Sequence, residues 1–376
     1  MTDLLRVLAR KAELRARAGL RRELRPRSAG DTLIDLAGND YLGLAVHPAV
    51  IDAAVQTLRG YGLGATGSRL VRGTTDLHER LEAALADWMG ADFALVYSSG
   101  YLANLGAIRG LALPGTRIVI DEFAHASLLD GVRLSGMESR TYRHADAADA
   151  DRILGECSRA GDGRLLLITE SVFSVDGDLA DLAELHRVAR AHRAVLLVDD
   201  AHGLGVIGPR GAGGVVGAGI AGEPDVVVTA TLSKALGGAG GVIAGASGLR
   251  QHLVDTGRTF IFDTALPPAT AAGVAAALEL ARSADGGARR DILAARRSRL
   301  TGLFGAVTDG GVFPIPAESA EAALAWANAC HERGVAVGCF RPPSTPDHIS
   351  RLRLTLNAGV SEADFELALQ TIQETR

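Results

Sequence analysis

The sequence predicts an α/β protein with a large, mostly parallel mixed sheet and a smaller C-terminal α/β unit. Three observations predict it. Short continuous apolar runs recur along the chain, helical patterns separate them, and several of the runs end abruptly in polar residues. A strand buried on both faces reads as an unbroken apolar run, whereas a strand with one wet face alternates.

Taken in order, the first 27 residues are rich in arginine. Arg6, Arg10, Arg15, Arg17, Arg21 and Arg22 interleave with Leu4, Leu5, Val7, Leu8, Leu14 and Leu20 at helical spacing, the pattern of a solvated amphipathic helix. Asp3, Glu13 and Glu23 interrupt the positive charge and no apolar h-region follows, which argues against a targeting peptide. Residues 32–36 form a short strand and Asn39–Gly43 a turn. Helices are expected from about His47 to Gly60 and from Thr75 to Met89, on either side of a glycine-rich stretch. Strands follow at Phe93–Tyr97, Arg117–Asp121, Arg164–Glu170, Val195–Asp199, Asp225–Thr229 and Gly241–Ala246. From about Pro267 two long helical patterns run to roughly Val307, and the remainder, with Trp326 and a strand at Arg351–Leu356, forms the small unit. The expected organisation is an N-terminal helical arm over 1–45, a large domain over 46–285 and a small domain over 286–376.

Composition excludes several classes. At 376 residues the chain is long enough for a large core and a buried ligand. Hydrophobic residues are 47% and charged residues 22%, with no membrane-length apolar run, so a soluble, cytoplasmic protein is expected. A net charge of −5 gives no general nucleic-acid footprint. Cys157, Cys330 and Cys339 are scattered and form no C-x-x-C pair, which argues for a reduced compartment and against a disulfide framework or zinc ribbon.

Of 39 basic residues only Lys11 and Lys234 are lysine. Arginine keeps its proton, whereas lysine can lose one and attack a carbonyl, so a retained lysine hints at amine chemistry. Lys11 sits in the charged helix and reads as a solvated cation. Lys234 has more telling neighbours. The strand ending at Asp199 runs into Asp200-Ala201-His202-Gly203, the next into Thr229-Ala230-Thr231-Leu232-Ser233-Lys234, and the one before into Thr169-Glu170-Ser171, with Ser174 and Asp176 beyond. Ligands in parallel sheets sit at such carboxyl ends. A carboxylate at 199 and a lysine at 234, both following buried strands, are what a pyridoxal cofactor requires: an amine to form the imine and an anion to keep the pyridine nitrogen protonated. Alone, Asp199 would read as a carboxylate capping a turn.

Two rival classes compete with this reading. Gly62-x-Gly64-x-x-Gly67 and Gly203-x-Gly205-x-x-Gly208 both fit a dinucleotide fingerprint. The first follows a helix rather than a strand and is better explained by tight turns near a ligand. The second is followed by Pro209 and glycines 211, 213 and 214, which oppose the helix start that would hold a pyrophosphate of NAD. No G-K-[ST] of a P-loop occurs. His125, His202, Asp199, Asp200 and Glu170 could be imagined as a metal-hydrolase cluster, but no H-E-x-x-H or similar pair accompanies them, so no metal is expected. His47, His78, His186, His192 and His331 read as surface residues.

Together these residues resemble the α-oxoamine synthases, which are fold-type I pyridoxal-phosphate (PLP) transferases. The resemblance runs from about Arg21 to Leu356. Its motifs are Asn39-Asp40-Tyr41-Leu42-Gly43-Leu44, Gly67-Ser68-Arg69, Ser99-Gly100-Tyr101-x-x-Asn104, His125-Ala126-Ser127, Glu170-Ser171-Val172-Phe173-Ser174-x-Asp176-Gly177, Asp199-Asp200-Ala201-His202-Gly203, Thr231-x-Ser233-Lys234-Ala235-x-Gly237 and Arg341-Pro342-Pro343. The resemblance implies Lys234 as the Schiff-base lysine, Asp199 as partner of the pyridine nitrogen and His125 stacked on the ring. It implies His202 and Ser174 at the phenolic oxygen, and Gly100, Tyr101 and Thr231 at the phosphate, with Thr264 supplied by the second subunit of a homodimer. Arg353 and Ser344 are implied as substrate-binding, Arg353 as the clamp for an amino acid carboxylate. Asn39 and Glu170 are implied as reaction-site residues, and Arg21 as partner of an acyl chain's far carboxylate. The implied reaction joins an amino acid to an acyl thioester with loss of carbon dioxide. Asp199–Gly203 with Gly67–Arg69 is most similar to the oxononanoate-forming branch of biotin biosynthesis, which joins L-alanine to a pimeloyl thioester carried by coenzyme A or a carrier protein. Other branches use glycine with acetyl-CoA or succinyl-CoA, or serine with palmitoyl-CoA. Two positions depart from the family pattern: Ser233 stands where glycine is common, and Asp263 stands where serine often precedes Thr264.

Overall fold

Eleven strands form two sheets in this computed structural model, which describes residues 3–161, 163–345 and 347–376. In chain order they are β1 (Ile34–Leu36), β2 (Phe93–Tyr97), β3 (Arg117–Asp121), β4 (Glu138–Tyr142), β5 (Leu165–Glu170), β6 (Ala194–Asp199), β7 (Val226–Thr231), β8 (Gly241–Gly245), β9 (Val312–Pro316), β10 (Val335–Phe340) and β11 (Arg351–Thr355). The chain divides into two compact units. The larger holds Asn39–Gly311 and Asn357–Gly359, and the smaller is built from the segment up to Gly38, Val312–Leu356 and Val360–Arg376. The boundary expected near 285 instead falls between two helices of the larger unit, Pro268–Arg282 and Ala284–Phe304. The N-terminal arm is grouped with the smaller unit up to Gly38, because β1 pairs in parallel with β10.

The larger unit is organised by a seven-stranded sheet in the order β2-β8-β7-β6-β5-β3-β4. Its pairs are parallel except that β8 runs antiparallel to both neighbours. The sheet is mostly parallel, as its unbroken apolar runs imply, and β2, β5, β7 and β8 are buried at every residue. Ile118, Ile120, Leu166, Ile168, Leu197 and Val227 form one apolar cluster with Ala103, Ala107, Ile108 and Leu128 of the covering helices. Burial of each such Leu or Ile side chain is worth about 1.5–3 kcal/mol, so this layer holds the strand ends rigidly. β4 was not expected: Glu138-Ser139-Arg140-Thr141-Tyr142 is a polar edge strand with only Tyr142 buried.

The smaller unit carries a four-stranded sheet in the order β1-β10-β11-β9. Trp326, on the helix Ala320–Glu332, donates its indole N–H to the Ile372 carbonyl at 3.0 Å, tying that helix to the C-terminal one. The basic helix Asp3–Arg17 is exposed along its whole length, as its pattern implies. Among the described residues no helix is long and apolar enough to cross a membrane.

Two histidines read as surface residues are buried. His78 is fully covered; its Nε2 pairs with the Leu266 carbonyl at 2.8 Å and its Nδ1 takes part in the cap of its own helix. His186 pairs with Asp225 at 3.1 Å. Helical context alone does not reveal which face a histidine occupies.

Candidate active site

Sheet register builds the site. Glu170 of β5 lies opposite Asp199 of β6, and Asp199 lies opposite Thr229 of β7, so three polar side chains stand abreast at the carboxyl ends of adjacent strands. Neighbouring strands are about 4.8 Å apart, close enough for each charge to be felt by the next. A cavity of about 240 Å³ opens over this row. It is lined by Glu170 and Asp199, by Ser99, Gly100, Tyr101 and Asn104 from the start of a helix, by His125 and Ser127, by Ala201 and His202, and by Ala230, Thr231, Ser233 and Lys234.

Asp199 is held by two donors. Its Oδ1 accepts the Ala201 N–H at 2.9 Å and its Oδ2 accepts Asn104 Nδ2 at 2.7 Å. Asn104 is itself fixed, since its Oδ1 accepts the Thr229 hydroxyl at 2.5 Å and its Nδ2 also donates to Ser127 Oγ at 2.8 Å. Ser127 Oγ, already accepting from Asn104, donates to His125 Nδ1 at 2.7 Å, and the Ser127 backbone N–H points at the same nitrogen at 3.2 Å. Two donors on Nδ1 place the ring proton of neutral His125 on Nε2. Burial holds the His125 pKa below its ordinary value, the Lys234 charge adds to this, and the Asp199 charge opposes it.

Glu170 is buried, and one oxygen accepts the His125 backbone N–H at 2.6 Å. Burial first, and then the neighbouring charge of Asp199, push its pKa well above the carboxylate range. Lys234 Nζ lies 2.7 Å from His202 Nε2, and His202 Nδ1 lies 2.5 Å from the Tyr41 hydroxyl. Tyr41 in turn donates toward Asn39 Oδ1 at 3.5 Å. With Lys234 charged, every donor in this chain points one way, from ammonium to His202, from Nδ1–H to Tyr41 and from the phenol to Asn39.

The far wall is the start of the helix Gly100–Leu111, capped by Ser99, whose side chain accepts the Leu102 N–H at 3.2 Å. Helix N-termini present free N–H groups and a positive dipole end to anions. At Gly100 an added Cβ would sit 2.9 Å from Thr231 Cβ, so only glycine lets the helix start approach this strand end. An amine, an opposed carboxylate and an anion-binding helix start around one cavity fit a PLP molecule by the chemistry of the donor set.

Asp200 explains the second glycine pattern. It is buried, Ser171 donates its hydroxyl to Oδ1, and the Gly214 N–H reaches both carboxylate oxygens, at 3.1 and 2.9 Å. Burial lifts its pKa to about 7 against these hydrogen bonds. A Cβ at Gly203 would lie 1.9 Å from Oδ1 and one at Gly213 2.0 Å from Oδ2. These glycines make room for a protein carboxylate, and the segment after Gly208 is the short turn Pro209–Gly211. Among the described residues no group of three or more His, Cys, Asp or Glu is placed to hold a metal ion.

The cavity gathers Lys234, His125, Asp199, Glu170, His202, Thr231, Gly100 and Tyr101. Ser174 lies outside its lining, in the turn of the hairpin that follows Glu170. Asn39 is reached through Tyr41. Thr264 bridges to Ser68 beside a smaller space that also borders Asp263, and Asp263 accepts the Ser98 hydroxyl. Arg21, Ser344 and Arg353 belong to the smaller unit. There Arg353 is buried, donates to Thr355 Oγ1 at 3.0 Å and lies 5.3 Å from the Phe340 ring centre. Ser344 accepts from Arg22 at 3.0 Å, and Arg21 is exposed, 3.6 Å from Glu23. Sequence reasoning gave no role to Tyr41, Asn104, Ser127 or Thr229. Asn104 carried one signal: it stands four residues after Gly100, on the same face of the helix.

The chain is similar to known proteins in sequence and fold. The family described as aminotransferase class I and II matches residues 31–372. The chain is 49% identical to an 8-amino-7-oxononanoate synthase of Mycolicibacterium gilvum over 96% of this chain and 94% of that one. Among solved structures, a serine palmitoyltransferase of Sphingomonas wittichii is 32% identical with a TM-score of 0.90, covering 100% of this chain and 98% of the other. A high-resolution structure of SPT with PLP is 30% identical with a TM-score of 0.89, covering 99% and 96%.

Proposed function

From the premise that this chain belongs to the aminotransferase class I and II family, we propose that it is a PLP-dependent acyltransferase that condenses L-alanine with a pimeloyl thioester, releasing carbon dioxide and the thiol carrier. The product is 8-amino-7-oxononanoate, an intermediate of biotin synthesis. The observation that carries this reading is the cavity that brings together Lys234, the strand-end pair Glu170 and Asp199, and the Gly100 helix start.

When bound, PLP supplies an aldehyde for imine formation and a ring that delocalises the electrons left by a departing proton or carboxylate. Lys234 is the amine that would hold it, and its Nζ, when free, is the base placed to take up a proton. His202, 2.7 Å from Nζ, takes up or returns that proton, with Tyr41 and Asn39 fixing its orientation. Asp199, fixed by Asn104 and Ala201, would be the partner of the ring nitrogen. His125, which lines the cavity, would stack on the ring. Glu170 is held as the neutral acid. One of its oxygens accepts the His125 N–H, so its proton sits on the other, available to a carbonyl oxygen that gains charge.

Gly100, Tyr101 and Thr231 would hold its phosphate, with Thr264 from the second copy of a homodimer, and Ser174 and His202 would hold its phenolic oxygen. Arg353 would clamp the alanine carboxylate, Ser344 would be a further substrate-binding residue, and Arg21 would meet the far carboxylate of the acyl chain. The three cysteines are free, in keeping with a reduced cytoplasm.

Holoprotein is expected to release coenzyme A and carbon dioxide in equal amounts from pimeloyl-CoA and L-alanine. The strong likeness in fold to serine palmitoyltransferases favours a second reading, condensation of L-serine with a long acyl thioester. Faster turnover with L-serine and palmitoyl-CoA, or with glycine and acetyl-CoA, would overturn the proposed branch. Borohydride treatment that leaves no pyridoxyl group on Lys234 would overturn the cofactor chemistry itself.

A further inference from the structure

Outside the cavity, one histidine meets a carboxylate at each ring nitrogen. His144 follows the edge strand β4. Its Nδ1 is 3.0 Å from Asp121 Oδ1, and its Nε2 is 2.9 Å from Asp178 Oδ2. The ring stacks on Phe123 at 4.2 Å and 24°, and meets the edge of Phe173 at 4.3 Å. Its backbone N–H donates to Glu122 Oε1 at 2.9 Å, and the next amide, of Ala145, donates to Asp121 Oδ2 at 2.8 Å. The charged or titratable groups facing it are therefore Asp121 at the end of β3, Glu122 just beyond, Asp178 of the hairpin and, against Asp121, the buried Tyr142 of β4. Arg143 turns to Asp146 and Asp149 instead.

These contacts join the turn that ends in the cavity residue His125 to the hairpin that follows the cavity residue Glu170. Asp121 begins the turn that ends in His125: Ala124 donates to the Asp121 carbonyl, and Phe123 donates to Asp121 Oδ1 at 2.8 Å. Asp178 closes the hairpin that starts just after Glu170 and carries Ser174 in its turn. Phe173 donates to the Asp178 carbonyl at 3.0 Å, Gly177 donates to the Phe173 carbonyl at 2.9 Å, and Val172 bridges to Leu179. Asp178 Oδ1 is buried with no hydrogen-bond partner among the described residues, and Oδ2 is the oxygen that meets the imidazole. A plain packing histidine needs one partner. A ring with a carboxylate on each nitrogen has both nitrogens donating, which only the imidazolium can do.

We propose that His144, as an imidazolium bridging Asp121 and Asp178, is a positioning residue that locks the Ser174 hairpin to the turn delivering His125. This deepens the proposed function and rests on it, since it says how two groups around the PLP ring are held in register. Burial alone would lower the His144 pKa, but the hydrogen bonds and charges of Asp121 and Asp178 raise it to about 9. The clamp is therefore complete at neutral pH and loosens as pH rises through that value.

The test uses holoenzyme of the wild type, His144→Phe and Asp178→Asn. The second variant alters a partly exposed carboxylate, so it remains informative if the first fails to fold. The expected result is a kcat lower by about tenfold in both, with KM for each substrate within about twofold, because a displaced hairpin disturbs geometry rather than binding. The wild type should lose activity as pH passes about 9, and Asp178→Asn should move that loss to lower pH, since one of the two carboxylates holding the proton is gone. Amide exchange at Phe173 and Gly177 should quicken, and the circular dichroism of bound PLP should weaken. These last two readouts need no substrate, so a wild type that fails to condense alanine with the thioester would sink the catalytic reading while leaving the clamp testable. Unchanged amide exchange together with an unmoved alkaline limb in Asp178→Asn would overturn the clamp.

Discussion

The carboxylates of the seven-stranded sheet and the arginines of the smaller unit handle buried or crowded charge in opposite ways. Glu170, Asp199 and Thr229 stand in one row because backbone register puts them there, and Asp199 is met by neutral donors such as Asn104 and Ala201. In the smaller unit the cations lean on whatever oxygen or ring surface their long side chains can reach. Arg353 lies over Phe340 and beside Thr355, Arg25 reaches Asn328 at 2.6 Å, and Arg341 donates to the carbonyls of Gly19 and Arg21. A group placed by a strand end moves only if the sheet moves. A guanidinium on a flexible stem can be lost or shifted without disturbing the backbone beneath it. Variants in the first region should therefore abolish chemistry, and variants in the second should weaken binding of particular substrates.

The largest effect expected is that of Lys234→Ala. Removing the imine-forming amine and Cα base together should lower kcat by at least ~10³-fold, beyond what one general base contributes at the lower end of its range. Turnover by this variant within tenfold of wild type would erase the distinction drawn above. Arg353→Leu should raise KM for L-alanine by about 10- to 100-fold, the loss of a charge-assisted hydrogen-bonded pair worth about 1.5–3 kcal/mol, with kcat less affected. Steady-state kinetics with each substrate varied separately would show the split, and a fall in kcat with unaltered KM would move Arg353 into the first class.

How much of this was legible in the sequence follows the same division. β5, β6 and β7 could be read because each is an unbroken apolar run closed by a polar residue, and their ends named Glu170, Asp199 and Lys234 together. β4 could not, because an edge strand with one wet face carries no apolar run, and the antiparallel direction of β8 leaves no trace in composition. The pairing of β1 with β10 joins residues some 300 positions apart, and no local pattern reports it. Asn104 stands within a motif, but its task is not legible there, since its three partners, Asp199, Ser127 and Thr229, come from three other segments. His144 was invisible for the same reason: Asp121 and Asp178 flank it from opposite directions in the chain.

Asn104→Ala tests whether the strand-end row needs its neutral bridge. The change strips a donor from Asp199 and a partner from both Thr229 and Ser127, all buried. It should cost about 1–3 kcal/mol of stability for the unsatisfied groups. Thermal unfolding of apo and holo protein would measure this, and activity should fall by about tenfold, because Asp199 and the His125 tautomer lose their shared anchor. Unfolding at the wild-type temperature would mean that water replaces the amide, and that the row is wetter than its burial implies.

The smallest effect is expected at Arg21, and it separates recognition from chemistry most cleanly. Its side chain is largely exposed and lies 3.6 Å from Glu23, a surface pair worth about 0–1 kcal/mol. Folding should not notice Arg21→Ala. If the guanidinium meets the far carboxylate of the acyl chain, KM for pimeloyl-CoA should rise by about threefold to tenfold, the scale of one charge-assisted contact in water-exposed surroundings. The methyl ester of the same thioester carries no charge at that end, so wild type should bind it about as poorly as the variant does. High salt should shrink the difference between wild type and variant, since screening weakens an exposed ion pair far more than a buried one. Equal KM values for acid and ester in the wild type would remove Arg21 from substrate recognition and leave it as one more cation of the N-terminal segment.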